Sequence, residues 1–361
     1  MAKKKVSNWE SIVEESNRGV KIWVGVDVHK TKYAVSVLSD TGVRHYFSAP
    51  ADNDSLIRQF KSRGIAVSAL AYEAGLSGFG LYRACEKAGI KALVVAASRI
   101  PRPAVQSAKT DKIDCQKLSE YLSIGLLKPI AVPTEDQEAI RTKTRRRNQL
   151  AREVAMTKQR IKSFLIAHSL PEPPGLERWS RASVEELKKM ETLSDLRFTL
   201  DSYLRQLEFF EGEKRLLEKE IQANVIPKDD ILQTVPGVGA VTAAIFRTEI
   251  FDPGRFQRSE QLASFIGLAP IISQSGSGNA STRLRPCGQG KLRSMLIEAA
   301  WILRGREKWA GEFFNGIVRR GGKPQKAITA LARKLATILW KLWQSNRRYQ
   351  SHYTPPADPA V

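Results

Sequence analysis

Short apolar runs separated by polar turns dominate the first 96 positions of the chain. The run at 22–27 and the stretch at 33–38 predict a β-hairpin that opens a sheet. The predicted elements are strands at 22–27, 33–38, 44–48, 67–73 and 91–96 and helices at 54–62 and 80–88. This β-β-β-α-β-α-β order indicates an α/β domain and suits an RNase H-like sheet.

The periodicity becomes helical from about residue 134 onward. Residues 141–160 hold eight basic residues and one acid, Glu153, in a sequence with helical propensity. After a proline-rich link at 171–175, apolar residues from Leu193 to Ile221 recur at spacings of three and four, which favours a coiled coil. An antiparallel hairpin between the two helices of one chain explains the same pattern, and dimerisation does so as well.

Two polar motifs interrupt the mostly helical region after Pro227. The sequence V-P-G-V-G at 235–239 has the form of a helix-hairpin-helix, in which Gly237 and Gly239 leave amides free for a phosphate. An ordinary interhelical turn is the alternative. The second motif, the Ser-Gly-rich stretch at 270–283, is either a flexible linker or a phosphate-binding loop. Four basic residues accompany it: Arg283, Arg285, Lys291 and Arg293.

Together these patterns predict an α/β plus α protein of five segments. The predicted segments are an N-terminal extension at 1–20, an α/β domain at 21–133, a basic helix and coiled coil at 134–226, a mostly helical domain at 227–348 and a disordered tail at 349–361. The extension has no clear role and is predicted to be a disordered or docking arm.

The charge balance predicts a polyanionic partner. The chain has 58 Lys and Arg against 37 Asp and Glu, a formal net charge of +21, which favours nucleic acid. With no apolar stretch of about 18 residues and no signal-peptide pattern, we expect a cytoplasmic protein and no membrane partner. The three cysteines form no C-x-x-C pair and the four histidines are scattered, so neither a disulfide framework nor a zinc site is indicated.

Four acids occupy positions that predict one metal site. Asp27 and Glu73 each end a buried strand, and Asp111 and Asp114 lie on one side of a helix that runs to about residue 124. Crowded carboxylates favour Mg²⁺, with Mn²⁺ as a substitute, and a pair of ions would activate a nucleophile at a phosphodiester. The alternative is that the acids are only strand-end caps and helix N-terminal residues. His29, close to Asp27, is either a substrate contact or a solvated residue.

These motifs resemble the Piv-like DEDD transposases of bacterial insertion sequences, which include the RNA-guided bridge recombinases. The resemblance covers about residues 21–345 and rests on V-G-V-D-V-H-K at 24–30, Y-E-A-G at 72–75, K-T-D-K-I-D at 109–114, V-P-G-V-G at 235–239, L-A-S-F-I-G-L-A-P at 262–270 and Q-S-G at 274–276. One departure follows the serine motif. Pro286 and Cys287 stand where the family often has a basic, glycine-containing stretch.

The resemblance implies a RuvC-like domain whose Asp27, Glu73, Asp111 and Asp114 bind Mg²⁺. It also implies a C-terminal transposase domain in which Ser275 forms a transient phosphoserine link to DNA, so that strands are exchanged without hydrolysis. Family members of this kind assemble as tetramers through the coiled coil, with the residue that matches Ser275 in one protomer completing the acid site of another, and are guided by a structured noncoding RNA. For this chain a dimer or a tetramer, and Ser275 in cis or in trans, are both expected possibilities. The implied nucleic-acid contacts in the first half of the chain are Lys109, Arg141, Arg145, Arg146 and Arg147. Association with the bacterial nucleoid is then expected when the enzyme is active.

Three other functions remain open on the residues alone. A RuvC-like nuclease or junction resolvase would use the same acids with water and leave Ser275 as a loop residue. A noncatalytic architectural protein would bind nucleic acid without a metal. An actin-like ATPase is disfavoured, because no glycine-rich phosphate loop follows Asp27.

Overall fold

The structure is a computed structural model that describes residues 8–75, 77–101, 110–273, 281–284 and 288–351. The chain divides into two compact units, Met1–Val132 and Pro133–Val361. The first unit is a mixed α/β structure and the second is mostly helical. The predicted fold class is confirmed at this level.

A five-stranded sheet organises the first unit. Its elements are α1 (Asn8–Asn17), β1 (Ile22–Val28), β2 (Lys32–Ser39), β3 (Arg44–Pro50), α2 (Asn53–Ser62), β4 (Val67–Glu73), α3 (Gly80–Lys87), β5 (Ala92–Val95) and α4 (Asp111–Ser123). The strand order is β3-β2-β1-β4-β5, with β1 antiparallel to β2 and parallel to β4. Every element predicted between residues 22 and 124 is present, with boundaries shifted by only a few residues.

The two faces of the sheet carry different layers, because successive side chains of a strand point to opposite faces. On one face Val24 of β1 and Tyr72 of β4 pack into a core with the helices α1, α2 and α3. On the other face Ala69 and Ala71 of β4 pack against Leu118 and neighbouring residues of α4. Residues one position away from Val26 and Tyr72 therefore face α4.

Helix α4 lies unusually close to the central strand at Gly25. A Cβ atom added there would lie 2.1 Å from the Cys115 carbonyl oxygen and 2.5 Å from the Ser119 amide nitrogen. Real Cβ atoms do not approach backbone atoms so closely, so only glycine permits this contact. A buried hydrogen bond of 3.0 Å between the hydroxyls of Ser36 and Ser119 joins α4 to β2 as well.

The first residues of the chain correct the predicted extension at 1–20. Residues 8–17 form α1, whose Ile12 is fully buried in the core of the α/β unit. Trp9 stacks on His45 of β3 with ring centroids 4.3 Å apart, and the Ser16 hydroxyl accepts a hydrogen bond from the Ala66 amide. This segment is therefore part of the α/β unit and is not a disordered arm. Helix α1 is short and of mixed composition, so the sequence shows no clear apolar periodicity that would predict its buried side.

The second unit is built mainly from long helices. Its elements are α5 (Glu135–Ala167), α6 (Arg181–Lys189), α7 (Ser194–Asn224), α8 (Ala240–Ile250), α9 (Ser259–Ile266), β6 (Pro270–Ser273), β7 (Ser281–Leu284), α10 (Gly290–Arg306), α11 (Lys308–Arg319) and α12 (Pro324–Ser345). The fully apolar face of α12 fills the core between α8, α9 and α10. None of the helices in the described ranges is long and apolar enough to cross a membrane.

The chain is folded beyond the predicted end of the second unit at residue 348. The Trp309 indole donates a hydrogen bond of 2.8 Å to the Tyr349 hydroxyl, and the Tyr349 amide donates to the Thr234 hydroxyl. Ser351 bonds to Glu307. The remainder of the predicted tail, 352–361, lies outside the described residues.

Helices α5 and α7 pair in an antiparallel hairpin within one chain. Lys143, near the start of α5, pairs with Glu220 near the end of α7, whereas Lys158 pairs with Glu211. Their apolar seam contains Val154, Ile161, Leu165, Leu200, Leu204 and Leu207. The internal hairpin, one of the two interpretations of the heptad pattern, is thus present. Dimerisation through a coiled coil stays a prediction.

Candidate metal centre

Two neighbouring strands bring the first two acids to one edge of the sheet. Asp27 lies next to the end of β1, and Glu73 is the last residue of β4. The parallel register pairs Val26 with Tyr72. Asp27 and Glu73 are the next residues on the two strands, so they lie side by side on the face of the sheet that α4 covers. The alternation of each strand therefore directs both carboxylates toward α4.

The start of α4 supplies the other two acids. Thr110 caps this helix, since its hydroxyl accepts a hydrogen bond from the Ile113 amide, and Asp111 and Asp114 lie in the first turn. Their spacing of three places both on one side of the helix. The charges of Asp111 and Asp114 both raise the pKa of Asp27, which shows that these three carboxyls lie within electrostatic reach of one another.

A histidine and a lysine complete the cluster. The His29 Nε2 atom lies 3.0 Å from Asp27 Oδ2 and 3.5 Å from Asp111 Oδ2. The Lys32 ammonium lies 3.2 Å from the same Asp111 oxygen. Asp27 is partly buried, with 22 % of its side chain accessible. The Lys32 ammonium, at the start of β2, thus partly neutralises the negative charge at this edge.

The two aspartates respond to their surroundings in opposite directions. Burial is the main reason that the pKa of Asp27 is raised, and the neighbouring His29 opposes the rise. The pKa of Asp111 is lowered, chiefly by its hydrogen bond with Lys32. Of these two aspartates, Asp27 is therefore the one whose charge the protein alone stabilises less, and a bound cation would relieve that cost.

This raised pKa predicts that Asp27→Asn stabilises the protein in the absence of divalent metal. When the pKa of an acid is higher in the folded state than in the unfolded state, ionisation of that acid destabilises the folded protein. This destabilisation is present at pH 7 and absent below the pKa of the unfolded state, about 3.9. Urea denaturation in EDTA should give the variant the higher midpoint at pH 7, and the difference should shrink as the pH falls toward 4. A lower midpoint for Asp27→Asn at pH 7 would contradict the assigned cause.

Two family models match separate segments of the chain. A DEDD transposase model of the IS110 type, described as a transposase, matches residues 24–169, and a model described as the transposase IS116/IS110/IS902 family matches residues 229–315. The chain carries both domains of IS110/IS116-family transposases. The first match spans Asp27, Glu73, Asp111 and Asp114.

Several curated relatives match the chain over nearly its whole length. A putative transposase, y4qE, of Sinorhizobium fredii is 27 % identical over 91 % of the chain and 90 % of its own length. The transposase for insertion sequence element IS1533 of Leptospira borgpetersenii is 26 % identical over 90 % of the chain and 96 % of its own length. A pilin gene-inverting protein of Moraxella bovis is 35 % identical over 33 % of the chain and 38 % of its own length.

Four of the nine basic residues predicted as nucleic-acid contacts lie on α5, and two of these four form internal ion pairs. Arg145 donates two hydrogen bonds, of 2.9 and 3.0 Å, to Glu249 of α8, whose side chain is only 9 % exposed. Arg147 pairs with Glu218 of α7. Arg141 is half-buried, and burial lowers its pKa. Arg146 is exposed and donates a hydrogen bond to Gln149.

The predicted helix-hairpin-helix has a shorter first element than expected. A 3-10 helix at Ile231–Thr234 precedes the turn, and α8 follows it. Gly237 has a φ of +88°, and an added Cβ there would lie 2.5 Å from the Ala299 carbonyl oxygen of α10. Packing therefore explains glycine at this position without a phosphate. Gly239 is the N-cap of α8, with nothing within 4 Å of an added Cβ.

Some of the remaining predicted residues belong to the described part of the chain and others do not. Lys291 and Arg293 lie in the first turn of α10. Burial lowers the pKa of Lys291, and Arg293 donates a hydrogen bond to the Gly267 carbonyl. Lys109, Ser275 and Arg285 lie outside the described residues, as does the side chain of Arg283. Their predicted roles stay predictions.

Two residues of this cluster lie outside the four-acid pattern. The sequence predicts His29 only as a substrate contact or a solvated residue, and it predicts no role for Lys32. The short hairpin is the feature of the sequence that could have identified them. The His29 amide donates a hydrogen bond to the Lys32 carbonyl, so the turn returns the chain with Lys32 level with His29. A chain that turns back within three residues keeps both side chains beside the strand end.

Proposed function

We propose that the chain is a DNA transposase of an insertion sequence, which cuts and rejoins strands by Mg²⁺-dependent transesterification with Ser275 as nucleophile. The observation that carries the proposal is the meeting of Asp27 and Asp111 at one strand end, within the unit matched by the DEDD transposase model. The strand order, with β1 central and antiparallel to β2, supports an RNase H-like assignment for this unit.

The donor set fits a hard divalent cation. Asp27, Glu73, Asp111 and Asp114 offer carboxylate oxygens, which Mg²⁺ prefers, and a bound cation would relieve the cost of ionising the partly buried Asp27. When bound, Mg²⁺ supplies Lewis acidity that promotes ionisation of an attacking hydroxyl and stabilises a leaving oxygen. The acids hold that charge at the sheet edge, and α4 fixes two of them by its contact with β1.

The proposed reaction conserves phosphodiester bonds. The Ser275 hydroxyl loses its proton and attacks phosphorus, so that a serine–phosphate ester forms as the bond to the 3′-oxygen breaks and that oxygen gains a proton. The 3′-hydroxyl of another strand then attacks the phosphoserine, restoring a phosphodiester and the serine. Two transesterifications leave the number of ester bonds unchanged, and no external energy source is required.

A guide RNA and DNA both require a cationic surface, and α5 provides one. Arg146, Arg152 and Arg160 are exposed on this helix, and Arg152 and Arg160 form no ion pair with any residue that the structure describes. The net charge of +21 supports the same assignment. The guidance by a structured noncoding RNA rests on the resemblance to bridge recombinases. Exposed Phe198, Phe209 and Leu216 on α7 support a dimer or tetramer.

Neighbouring arginines of α5 should separate folding from nucleic-acid binding. We expect Arg145→Ala to destabilise the helical unit by about 1–2 kcal/mol, because it leaves the buried Glu249 carboxylate unpaired, and the half-exposed arginine limits the effect. Arg146→Ala should change stability by less than about 0.5 kcal/mol. It should weaken nucleic-acid binding and reduce the salt slope by about 1.

Urea denaturation and fluorescence-anisotropy titration at several salt concentrations measure these two effects. The two variants serve as controls for each other, because each removes one guanidinium group and the two positions are adjacent on α5. If Arg145→Ala weakened nucleic-acid binding and left stability unchanged, its assigned structural role would be wrong.

A strand-joining assay tests the proposed function. DNA carrying the element's ends, a target DNA and RNA from the element's flank are incubated with the protein in Mg²⁺ or EDTA. We expect joined products in Mg²⁺, none in EDTA, and none when the RNA is omitted. Joining that persists in EDTA would contradict the metal dependence, and joining without RNA would contradict the guide.

A water-using nuclease is the second candidate, because the described acid site is sufficient for hydrolysis without Ser275. Such an enzyme would yield cut DNA with free 5′-phosphates and no joined product. The same assay therefore separates the two functions by the ratio of joined to cut strands.

A further inference from the structure

His29 contributes a nitrogen atom to the acid cluster. The Nε2 atom lies 3.0 Å from Asp27 Oδ2 and 3.5 Å from Asp111 Oδ2, and potential ligand atoms of the three residues all lie within 4.8 Å of one another. Among the residues that the structure describes, this is the only such group of three or more His, Cys, Asp and Glu side chains. The imidazole thus lies between the two carboxylates.

The separations match those of ligands that share one ion. Neighbouring ligands of an octahedral ion with bonds of about 2.1 Å are about 3.0 Å apart. The turn that follows β1 keeps the imidazole in place, because the His29 amide donates a hydrogen bond of 3.1 Å to the Lys32 carbonyl. The side chain is 42 % exposed, so the cluster is open to an incoming ion.

We infer that His29 is a ligand of the same metal ion as Asp27 and Asp111, which makes this centre a mixed nitrogen and oxygen site. The inference rests on the proposed metal-dependent function and adds a residue that the four-acid pattern does not contain. Imidazole nitrogen raises affinity for transition-metal ions relative to Mg²⁺, which prefers oxygen. The protein should therefore discriminate between Mn²⁺ and Mg²⁺ more strongly than a site of four carboxylates.

Pulsed electron paramagnetic resonance of bound Mn²⁺ tests this inference without measuring catalysis. Metal-free full-length protein is titrated with Mn²⁺, free Mn²⁺ is quantified from its resonance signal, and electron spin-echo envelope modulation detects ¹⁴N coupled to the bound ion. Mg²⁺ affinity is obtained by competition. The proteins compared are the wild type, His29→Gln, Asp27→Asn and His168→Gln. The last is a matched control, since His168 is exposed at the end of α5 in the other unit.

The expected result is ¹⁴N modulation in the wild type and in His168→Gln that disappears in His29→Gln. His29→Gln should weaken Mn²⁺ binding on the order of tenfold, a loss typical for removal of one interaction around a metal, and weaken Mg²⁺ binding less. Asp27→Asn should weaken both. Circular dichroism confirms that His29→Gln keeps the fold, so that a lost signal reports coordination.

Two results would overturn the inference, and they differ in what else they affect. Mn²⁺ that binds to the wild type without ¹⁴N modulation, with affinity unchanged in His29→Gln, would show that His29 only forms a hydrogen bond to Asp27 and would leave the metal-dependent function intact. If the wild type bound no Mn²⁺, or Asp27→Asn bound it equally, the metal centre itself would fail and the proposed function with it.

Discussion

Asp27→Asn is expected to lower the rate of DNA strand cleavage by about a hundred- to a thousand-fold. A bound metal ion supplies several kcal/mol of transition-state stabilisation, and this variant removes the charge of a partly buried proposed ligand. The side chain keeps its size, so the loss reports chemistry and not packing. Single-turnover cleavage of a labelled DNA end in saturating Mg²⁺ measures it.

The stability of the same variant provides the control for this loss. Because ionised Asp27 is costly in the metal-free protein, Asp27→Asn should be at least as resistant to urea as the wild type. If the cleavage rate of Asp27→Asn falls while its stability to urea rises, the lost activity results from the change at the metal centre and not from unfolding. Cleavage within tenfold of the wild-type rate would remove Asp27 from the proposed metal centre.

Gly25→Ala should be the most damaging small substitution in the α/β unit. The new methyl group would lie 2.1 Å from the Cys115 carbonyl oxygen, and neither backbone can yield without moving α4 away from β1. We expect a loss of about 3 kcal/mol in the free energy of unfolding and a comparable loss of cleavage, since α4 carries Asp111 and Asp114. Hydrogen exchange followed by mass spectrometry should show faster exchange across α4.

Gly42→Asn is the matched control for this substitution. Gly42 has a φ of +94° with nothing within 4 Å of an added Cβ, and asparagine tolerates positive φ better than other residues. This variant should retain nearly all stability and cleavage. If Gly25→Ala behaved like Gly42→Asn, the close packing of α4 on β1 would be wrong.

Local patterns were sufficient to predict the sheet of the first unit. Runs such as that preceding Asp27 are apolar on both sides because helices cover both faces of β1, and acids that end such runs are conspicuous. The spacing of Asp111 and Asp114 predicted their common side. Helix α1 was missed, because only Ile12 and Ser16 of its ten residues are buried.

Contacts between distant parts of the chain could not be predicted from such patterns. The pairing of Arg145 with Glu249 joins residues 104 positions apart, and nothing near Arg145 in the sequence distinguishes it from the exposed Arg146. The packing of Gly237 on α10 is equally remote. For this reason a basic helix was interpreted as a nucleic-acid surface although part of its charge stabilises the helical unit.

A covalent-adduct assay tests the central claim most directly. The protein is incubated with the element's DNA ends and flanking RNA in Mg²⁺ or EDTA, denatured in SDS, and compared with Ser275→Ala and Asp27→Asn. The account predicts a protein–DNA band that requires Mg²⁺ and disappears in both variants. Cleavage without any adduct, at an undiminished rate in Ser275→Ala, would contradict it and establish a water-using nuclease.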